Sequence, residues 1–208
     1  MQIEKYEDMN LLEMDVIREI GSIGTGNAAT ALSQLLREEI RMSIPEVAIL
    51  GFDETIERLG NPEEIVTAVL VRMKGEIQGM MLLIMKMDFI SAITQRLLSK
   101  EILDYAFLGN LEISAIEEAG NIIISSYINA LSALTGVSIS LSVPDIAVNM
   151  LGGILSVPMA EFGYTTDKLM MIDGKFFLNN KELENRLLLM PDIESLNFLM
   201  ERLGVHNE

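Results

Sequence analysis

The chain has 208 residues and a formal net charge of −16, from 31 acidic and 15 basic residues. An acidic excess of this size opposes binding to a phosphate backbone, so we expect no nucleic-acid partner. The sequence has no Cys and one His, His206, which excludes disulfide scaffolds, Cys/His zinc sites and a Ser-His-Asp triad.

The N-terminal segment MQIEKYEDMN is acidic and lacks the apolar core of a signal peptide. Apolar runs such as MMLLIM at 80–85 are far too short to span a bilayer. We therefore expect a cytoplasmic protein that is not inserted in a membrane.

The first half of the chain begins with a long predicted helix. Residues 10–36 have helical patterning, and Asn10 followed by Glu13 has the spacing of a capping box. A short β-prone stretch at 40–44 leads to Pro45, which is typical of a strand end. The predicted elements that follow are a hairpin of strands 64–74 and 76–86, turning at Lys74-Gly75, and a helix from Asp88 to about Ser99.

The second half repeats this order. Asn110 is predicted to cap a helix over 111–135, which Gly136 ends. A β-prone stretch at 137–143 then leads to Pro144. The later predicted elements are a hairpin at Asp173-Gly174, a strand at 186–190 and a closing helix from Asp192 to Leu203.

An internal repeat accounts for the similarity of the two halves. A shift of 99 residues aligns EIGSI at 19–23 with EAGNI at 118–122. The same shift carries Ile44-Pro45 onto Val143-Pro144. One offset that holds over such a distance, with a Pro at the same place, indicates duplication of a half-sized unit.

The predicted fold class is α+β, with two long helices packed on a largely antiparallel β-sheet and pseudo-two-fold symmetry. The repeats span about 9–100 and 110–205. Because each repeat offers one long helix and one sheet face, we expect a shared core and a single domain over residues 1–208.

Polar side chains follow one face of each long helix. Spacings of four and three place Ser114, Glu118 and Asn121 on successive turns of one face. The first repeat has the same spacing at Asp15, Glu19 and Ser22. A single polar face is typical of any amphipathic helix. Here it recurs with Gly21 and Gly120 before the third position, and a mid-helix Gly costs about 1 kcal/mol. A repeated cost suggests close approach by another backbone or by a partner.

This pattern resembles a known family. Ser114-x3-Glu118-x2-Asn121, followed 23 residues later by Pro144, resembles the signature of the CheC/CheX/FliY phosphatases. The first repeat, Asp15-x3-Glu19-x2-Ser22 with Pro45, matches at three of four positions and departs at Ser22, where the family has Asn. The segment EIGSIGTGNAATALS is also similar to the corresponding segment of CheC proteins.

The resemblance implies a chemotaxis phosphatase that hydrolyses the aspartyl phosphate of a phosphorylated CheY-type response regulator. It implies that Asn121 orients the attacking water and that Glu118 pairs with a cationic group of the regulator. Ser114 and Pro144 would shape the substrate-binding surface. In the first repeat, Ser22 would leave a weak or silent second site, with Glu19 assisting docking and Asp15 and Pro45 in the matching places.

The resemblance also implies which cofactors and partners to expect. The chain would need no metal or cofactor of its own, because Mg²⁺ would belong to the regulator. One chain would hold both sites, so a monomer is expected.

Two other functions remain open. The chain could act mainly as an adaptor that binds CheD, a receptor-modifying deamidase, with weak or no turnover. The segment 145–157, DIAVNMLGGILSV, resembles the region that docks CheD, although a core helix is the favoured explanation of this segment. A flagellar switch component like FliY is the other alternative, and 208 residues leave little room for its additional regions.

Overall fold

The computed structural model describes residues 3–162 and 168–205. The first repeat contains α1 (Leu11–Leu36), β1 (Ile40–Met42), β2 (Glu46–Gly51), α2 (Phe52–Leu59), β3 (Ile65–Gly75), β4 (Gly79–Met85) and α3 (Met87–Leu98). The second contains α4 (Asn110–Thr135), β5 (Ile139–Leu141), β6 (Asp145–Met150), α5 (Leu151–Phe162), β7 (Lys168–Asp173), β8 (Phe176–Leu178), β9 (Lys181–Leu183), β10 (Asn185–Pro191) and α6 (Ile193–Arg202). The α+β class predicted from the sequence is confirmed.

The element bounds repeat with the offset seen in the sequence. Each bound of α4, β5 and β6 lies 99 residues after the matching bound of α1, β1 and β2. The offset drifts after α2, and the hairpin β8–β9 occupies the place of the short turn between β3 and β4. The offset of 99 residues therefore holds over α1 and α4. These helices carry the two polar stripes, Asp15-Glu19-Ser22 on α1 and Ser114-Glu118-Asn121 on α4.

The main sheet has seven strands in the order β2-β7-β10-β4-β3-β5, with β6 also paired to β3, and every pairing is antiparallel. Its centre is the pair β4–β10, in which Leu82 lies opposite Leu188. These two leucines occupy the same place in their repeats, since both strands contain seven residues and pair end to end. The pseudo-two-fold axis passes between them.

Each repeat supplies an edge strand to the other. Strand β2 pairs with β7, with Glu46 opposite Asp173, and β6 pairs with β3, with Asp145 opposite Leu70. Neither half can complete its side of the sheet from its own strands. We infer from this exchange that the two repeats form one domain with one folding unit.

The sheet is covered on both faces. Along β3, Val69 and Val71 belong to the core formed with α1, α3, α4 and α6. The alternate residues Ala68 and Leu70 belong to a smaller core with α2 and α5. This period of two is what a strand buried on both faces requires. Both polar stripes therefore lie on the side of the sheet that carries the long helices.

The helix ends agree with the sequence in the first repeat and differ in the second. The Asn10 side chain accepts hydrogen bonds from the backbone of Leu12 and Glu13, so the predicted capping box is confirmed. The prediction of Asn110 as N-cap is wrong, because Gly109 occupies the cap and Asn110 is the first helical residue. Gly136, with φ 69°, ends α4 as predicted.

Three further predictions of local structure are wrong. Asp88 does not cap α3, because the N-cap is Lys86. The Asp88 side chain instead accepts a hydrogen bond from the backbone of Glu184. Asp173-Gly174 is not a hairpin turn, because β7 and β8 belong to different sheets. The hairpin turn is at Asn179-Asn180, where both residues have positive φ. The segment 145–157 is strand β6 followed by the start of α5 rather than a core helix.

The two long helices pack on each other through Gly24. A Cβ atom at this position would lie 2.5 Å from the Tyr127 ring and 3.0 Å from the Tyr127 Cα atom. The Tyr127 hydroxyl group also shares a hydrogen bond of 2.7 Å with Thr25. A Cβ atom at Gly26, on the same helix, would meet only the Met42 sulfur atom at 3.7 Å.

This contrast gives a matched test of the helix packing. We predict that Gly24→Ala lowers the free energy of unfolding by about 1–3 kcal/mol, because the backbone of α4 cannot yield to the new methyl group. Gly26→Ala should raise it by about 0.5–1 kcal/mol, because helix propensity improves in open space. Urea unfolding followed by circular dichroism measures both, and equal effects of the two variants would contradict the packing described.

Candidate functional site

The stripe on α4 is an outward-facing surface with free polar groups. Ser114 and Glu118 are exposed, and Asn121 is half-buried. Within the described part of the chain, none of these three side chains has a hydrogen bond or an ion pair. A carboxylate and a carboxamide are therefore held on successive turns without internal partners. This leaves their full hydrogen-bonding capacity for another molecule.

The stripe on α1 has the same placement but a different charge pattern. Asp15 and Glu19 are exposed and Ser22 is half-buried. Here the Asp15 carboxylate accepts a hydrogen bond from the Arg18 guanidinium group. The residue at the position of Arg18 on α4 is Glu117. The first stripe therefore carries a cation where the second carries an additional carboxylate.

The repeated glycines fix these helices on the sheet. A Cβ atom at Gly120 would lie 2.8 Å from Val69 Cγ2, and one at Gly21 would lie 3.1 Å from Ile172 Cγ2. In both cases the contact is a β-branched side chain of the other repeat. The close approach expected from the sequence is thus made by a sheet side chain, and not by another backbone. Because successive helical residues are rotated by about 100°, the next residue, Asn121 or Ser22, lies to the side of the sheet-facing glycine and is half-buried.

The two prolines directly precede strands β2 and β6. Pro45 is buried, and its Cγ atom lies 3.5 Å from the Cβ position of Gly21. Pro144 is half-buried, and its neighbour Asp145 pairs with Leu70, next to the Val69 that contacts α4. Pro45 therefore packs against the helix that carries the α1 stripe. The shaping role of both prolines stays a prediction.

Two buried carboxylates define the starts of the helices. Glu13 accepts a hydrogen bond of 2.7 Å from the backbone of Asn10, and Glu112 accepts one of 2.9 Å from the backbone of Gly109. Glu112 also accepts a hydrogen bond of 2.7 Å from the Lys100 ammonium group. The Lys100 hydrogen bond, together with the backbone hydrogen bonds, lowers the pKa of Glu112 below its ordinary value of 4.5.

Residues 3–162 and 168–205 contain no group of three or more His, Cys, Asp or Glu side chains that could hold a metal ion. They also contain no helix that is both long enough and apolar enough to cross a membrane. His206 lies outside the described residues.

Comparison with known proteins relates the chain to chemotaxis proteins. The model of the CheC-like family matches residues 12–49 and 111–148, two segments that are again 99 residues apart. CheY-P phosphatase CheC of Bacillus subtilis (strain 168) is 32% identical over 196 residues, covering 92% of this chain and 94% of that protein. Flagellar motor switch phosphatase FliY of the same organism is 26% identical over 144 residues, covering 69% of this chain and 37% of FliY.

A solved structure supports the same fold. The crystal structure of Thermotoga maritima FliY superimposes with a TM-score of 0.74 at 21% identity, covering 95% of this chain and 98% of that one. At this identity the similarity concerns the fold alone.

The lowered pKa of Glu112 makes the start of α4 sensitive to acid. A carboxyl group whose pKa is lower in the folded state stabilises that state above the unfolded pKa and loses the effect as pH falls through the folded value. We predict that wild type exceeds Glu112→Gln in free energy of unfolding at neutral pH, and that the difference shrinks below pH 4.5. Urea titrations at several pH values measure it. In a Lys100→Met background the pH dependence should weaken; a difference that is constant with pH would contradict the assignment.

Proposed function

Since the chain belongs to the CheC-like family, we propose that it hydrolyses the aspartyl phosphate of a CheY-type response regulator. The observation that carries the proposal is the pair Glu118 and Asn121, held outward on α4 without internal partners. The regulator would place its phosphorylated aspartate against this helix. A pair of groups on a convex helix surface, rather than in a cavity, suits a substrate that is itself a folded protein.

The proposed reaction needs alignment more than a strong base. Water attacks phosphorus, the bond between phosphorus and the aspartyl oxygen breaks, and the products are the free aspartate carboxylate and inorganic phosphate. Asn121 would accept a hydrogen bond from the water and donate one towards the phosphoryl group, which a carboxamide can do without adding charge. Because an acyl phosphate is already activated, positioning of the water supplies most of the effect.

Glu118 would dock the regulator through a charged hydrogen bond. Its carboxylate is exposed and lies one turn before Asn121, next to Glu117. Two adjacent carboxylates attract a cationic group on the partner, and this attraction raises the rate of association at low salt. Mg²⁺, in this proposal, is held by the regulator. Both stripes are on one chain, so we propose that a monomer is sufficient for activity.

The first repeat would contribute little to hydrolysis. Ser22 has a hydroxyl group where Asn121 has a carboxamide, and its side chain is shorter by one bond. Arg18, which is paired with Asp15, would also repel the cation that Glu118 is proposed to attract. Glu19 remains exposed, and we propose that it assists docking only.

The first functional prediction concerns Asn121 and Glu118. Asn121→Ala should slow phosphate release from a phosphorylated CheY-type regulator by a factor on the order of 100, because the water loses its alignment. Glu118→Gln should mainly raise the KM, by about tenfold, because a charged contact is lost. Both are measured as the decay of regulator phosphorylated with a small-molecule donor. Full activity of Asn121→Ala combined with loss of activity in Ser22→Ala would reverse the assignment of the sites.

A second prediction exchanges the two sites. Asn121→Ser should lower hydrolysis nearly as far as Asn121→Ala, and Ser22→Asn in that background should restore part of it at the first stripe. A further Arg18→Glu substitution should increase the recovery, because it recreates the charge pattern of α4. When Ser22→Asn is introduced into the wild-type protein, two equal and independent sites would raise the rate of hydrolysis at most about twofold. No recovery in the triple variant would mean that the first stripe has lost more than its carboxamide.

Binding of CheD is a second candidate function. The segment 145–157 includes edge strand β6, and its apolar side chains Val148, Met150 and Val157 are 38%, 49% and 41% exposed. An exposed apolar strand edge is typical of a protein-binding surface. We propose that this segment contacts CheD, on the opposite end of the sheet path from β2.

The two functions can be separated by one titration. Regulator dephosphorylation is measured with and without purified CheD, and CheD binding is measured for wild type and Met150→Glu. We expect turnover in both conditions and weaker CheD binding by Met150→Glu, because a charge is placed in an apolar contact. Binding of CheD without turnover in either condition would leave the adaptor function alone.

A further inference from the structure

Exposed apolar side chains lie at both ends of the α4 stripe. Leu111 is 64% exposed, and its spacing of three residues before Ser114 puts it on the face shared by Glu118 and Asn121. Val143, directly before Pro144, is 81% exposed. Exposure of apolar side chains to water is unfavourable, and two of them beside free polar groups are typical of a binding surface.

The same two exposures recur in the first repeat. Leu12 is 54% exposed and Ile44 is 77% exposed, and these positions are the equivalents of Leu111 and Val143 at the offset of 99 residues. Not every exposed apolar residue recurs in this way. Phe107, which is 67% exposed, has Asp8 at the equivalent position. Because both repeats have an exposed apolar pair at these positions, we associate the pair with the polar stripe.

The backbone around Val143 is fixed by a reciprocal pair of hydrogen bonds. The backbone N–H of Ser142 donates to the carbonyl oxygen of Arg72 at 2.9 Å, and the backbone N–H of Arg72 donates to the Ser142 hydroxyl oxygen at 3.0 Å. Pro144 restricts the chain on the other side. Val143 is therefore presented to solvent on an already ordered segment, so contact with a partner costs little further backbone entropy.

The first repeat has the same pair of bonds. The backbone N–H of Ser43 donates to the carbonyl oxygen of Lys175 at 3.0 Å, and the backbone N–H of Lys175 donates to the Ser43 hydroxyl oxygen at 3.2 Å. There Pro45 packs beside Gly21, one residue before Ser22. In the second repeat, Ser142 bonds to Arg72, and Asp145 pairs with Leu70, next to the Val69 on which Gly120 packs. Val143 therefore lies on the segment beside the Asn121 end of the stripe.

From these observations we propose that Leu111 and Val143 are the apolar contacts through which the phosphorylated regulator is bound, one at each end of the catalytic stripe. This inference rests on the function proposed above and adds to it the residues that set affinity. Protein interfaces combine buried apolar anchors with polar groups, and a few anchors carry most of the affinity. The occupant is the regulator because the apolar pair is continuous with Glu118 and Asn121, which act on it.

The test separates affinity from turnover. Val143→Ser and Leu111→Ser should each raise the KM for the phosphorylated regulator by about 5- to 20-fold while kcat changes by less than about twofold. Val143→Ile should keep the wild-type KM, because the apolar contact is preserved. Leu134→Ser, at the exposed far end of α4 and 42% exposed in wild type, is the matched control and should change neither parameter. Urea unfolding of each variant checks that the fold is intact.

The outcomes distinguish this inference from the proposed function. Wild type that neither hydrolyses the phosphorylated regulator nor binds it would defeat the proposed function. Wild type that hydrolyses it, with unchanged KM in both Val143→Ser and Leu111→Ser, would overturn the inference alone. Sedimentation of the chain without regulator tests a second copy as the occupant. A dimer of wild type that Val143→Ser dissociates would also overturn it.

Discussion

The contact between a helix glycine of one repeat and a β-branched side chain of the other is the constraint on which the site depends. Gly120 packs on Val69 and Gly21 on Ile172, where a Cβ atom would lie 2.8 Å and 3.1 Å from the methyl groups. The contact fixes the rotation of the helix, which places Asn121 to the side of the sheet-facing glycine. A mid-helix glycine lowers the stability of the helix by about 1 kcal/mol relative to alanine. The close packing that it allows fixes the direction of the polar stripe.

The exchange of edge strands extends this constraint through the domain. Val69 and Ile172 can support the opposite helix only because β3 and β7 lie in one sheet, joined through β4 and β10. Duplication therefore produced two helices that hold each other in register rather than two independent units. The two stripes differ in the residues they carry, with Ser22 and Arg18 on α1 and Asn121 and Glu117 on α4.

Sequence reasoning succeeded for the repeat and for the Asn10 cap, and it failed for the Asn110 and Asp88 caps and where strand partners were distant. The capping box at Asn10 was predicted because Glu13 is three residues away. Asp173-Gly174 has the composition of a hairpin turn, but β7 pairs with β2 and β10 in the main sheet. The next strand, β8, belongs to the three-stranded sheet. Residues 145–157 are apolar enough for a helix, yet six of them pair with β3. The exposed pair Leu111 and Val143 was missed, although its recurrence at the common offset was a usable signal.

The sequence by itself determined the duplication, the α+β class, the helical spacing of Ser114, Glu118 and Asn121, and the resemblance to a family. Periodicity and a fixed offset are written in the order of the residues, so no partner is needed to detect them. The tertiary structure alone decided which strands pair, which atoms fill the space above Gly120, and which apolar side chains stay in solvent. Those outcomes depend on contacts between residues that can be more than a hundred positions apart, where packing overrides local preference.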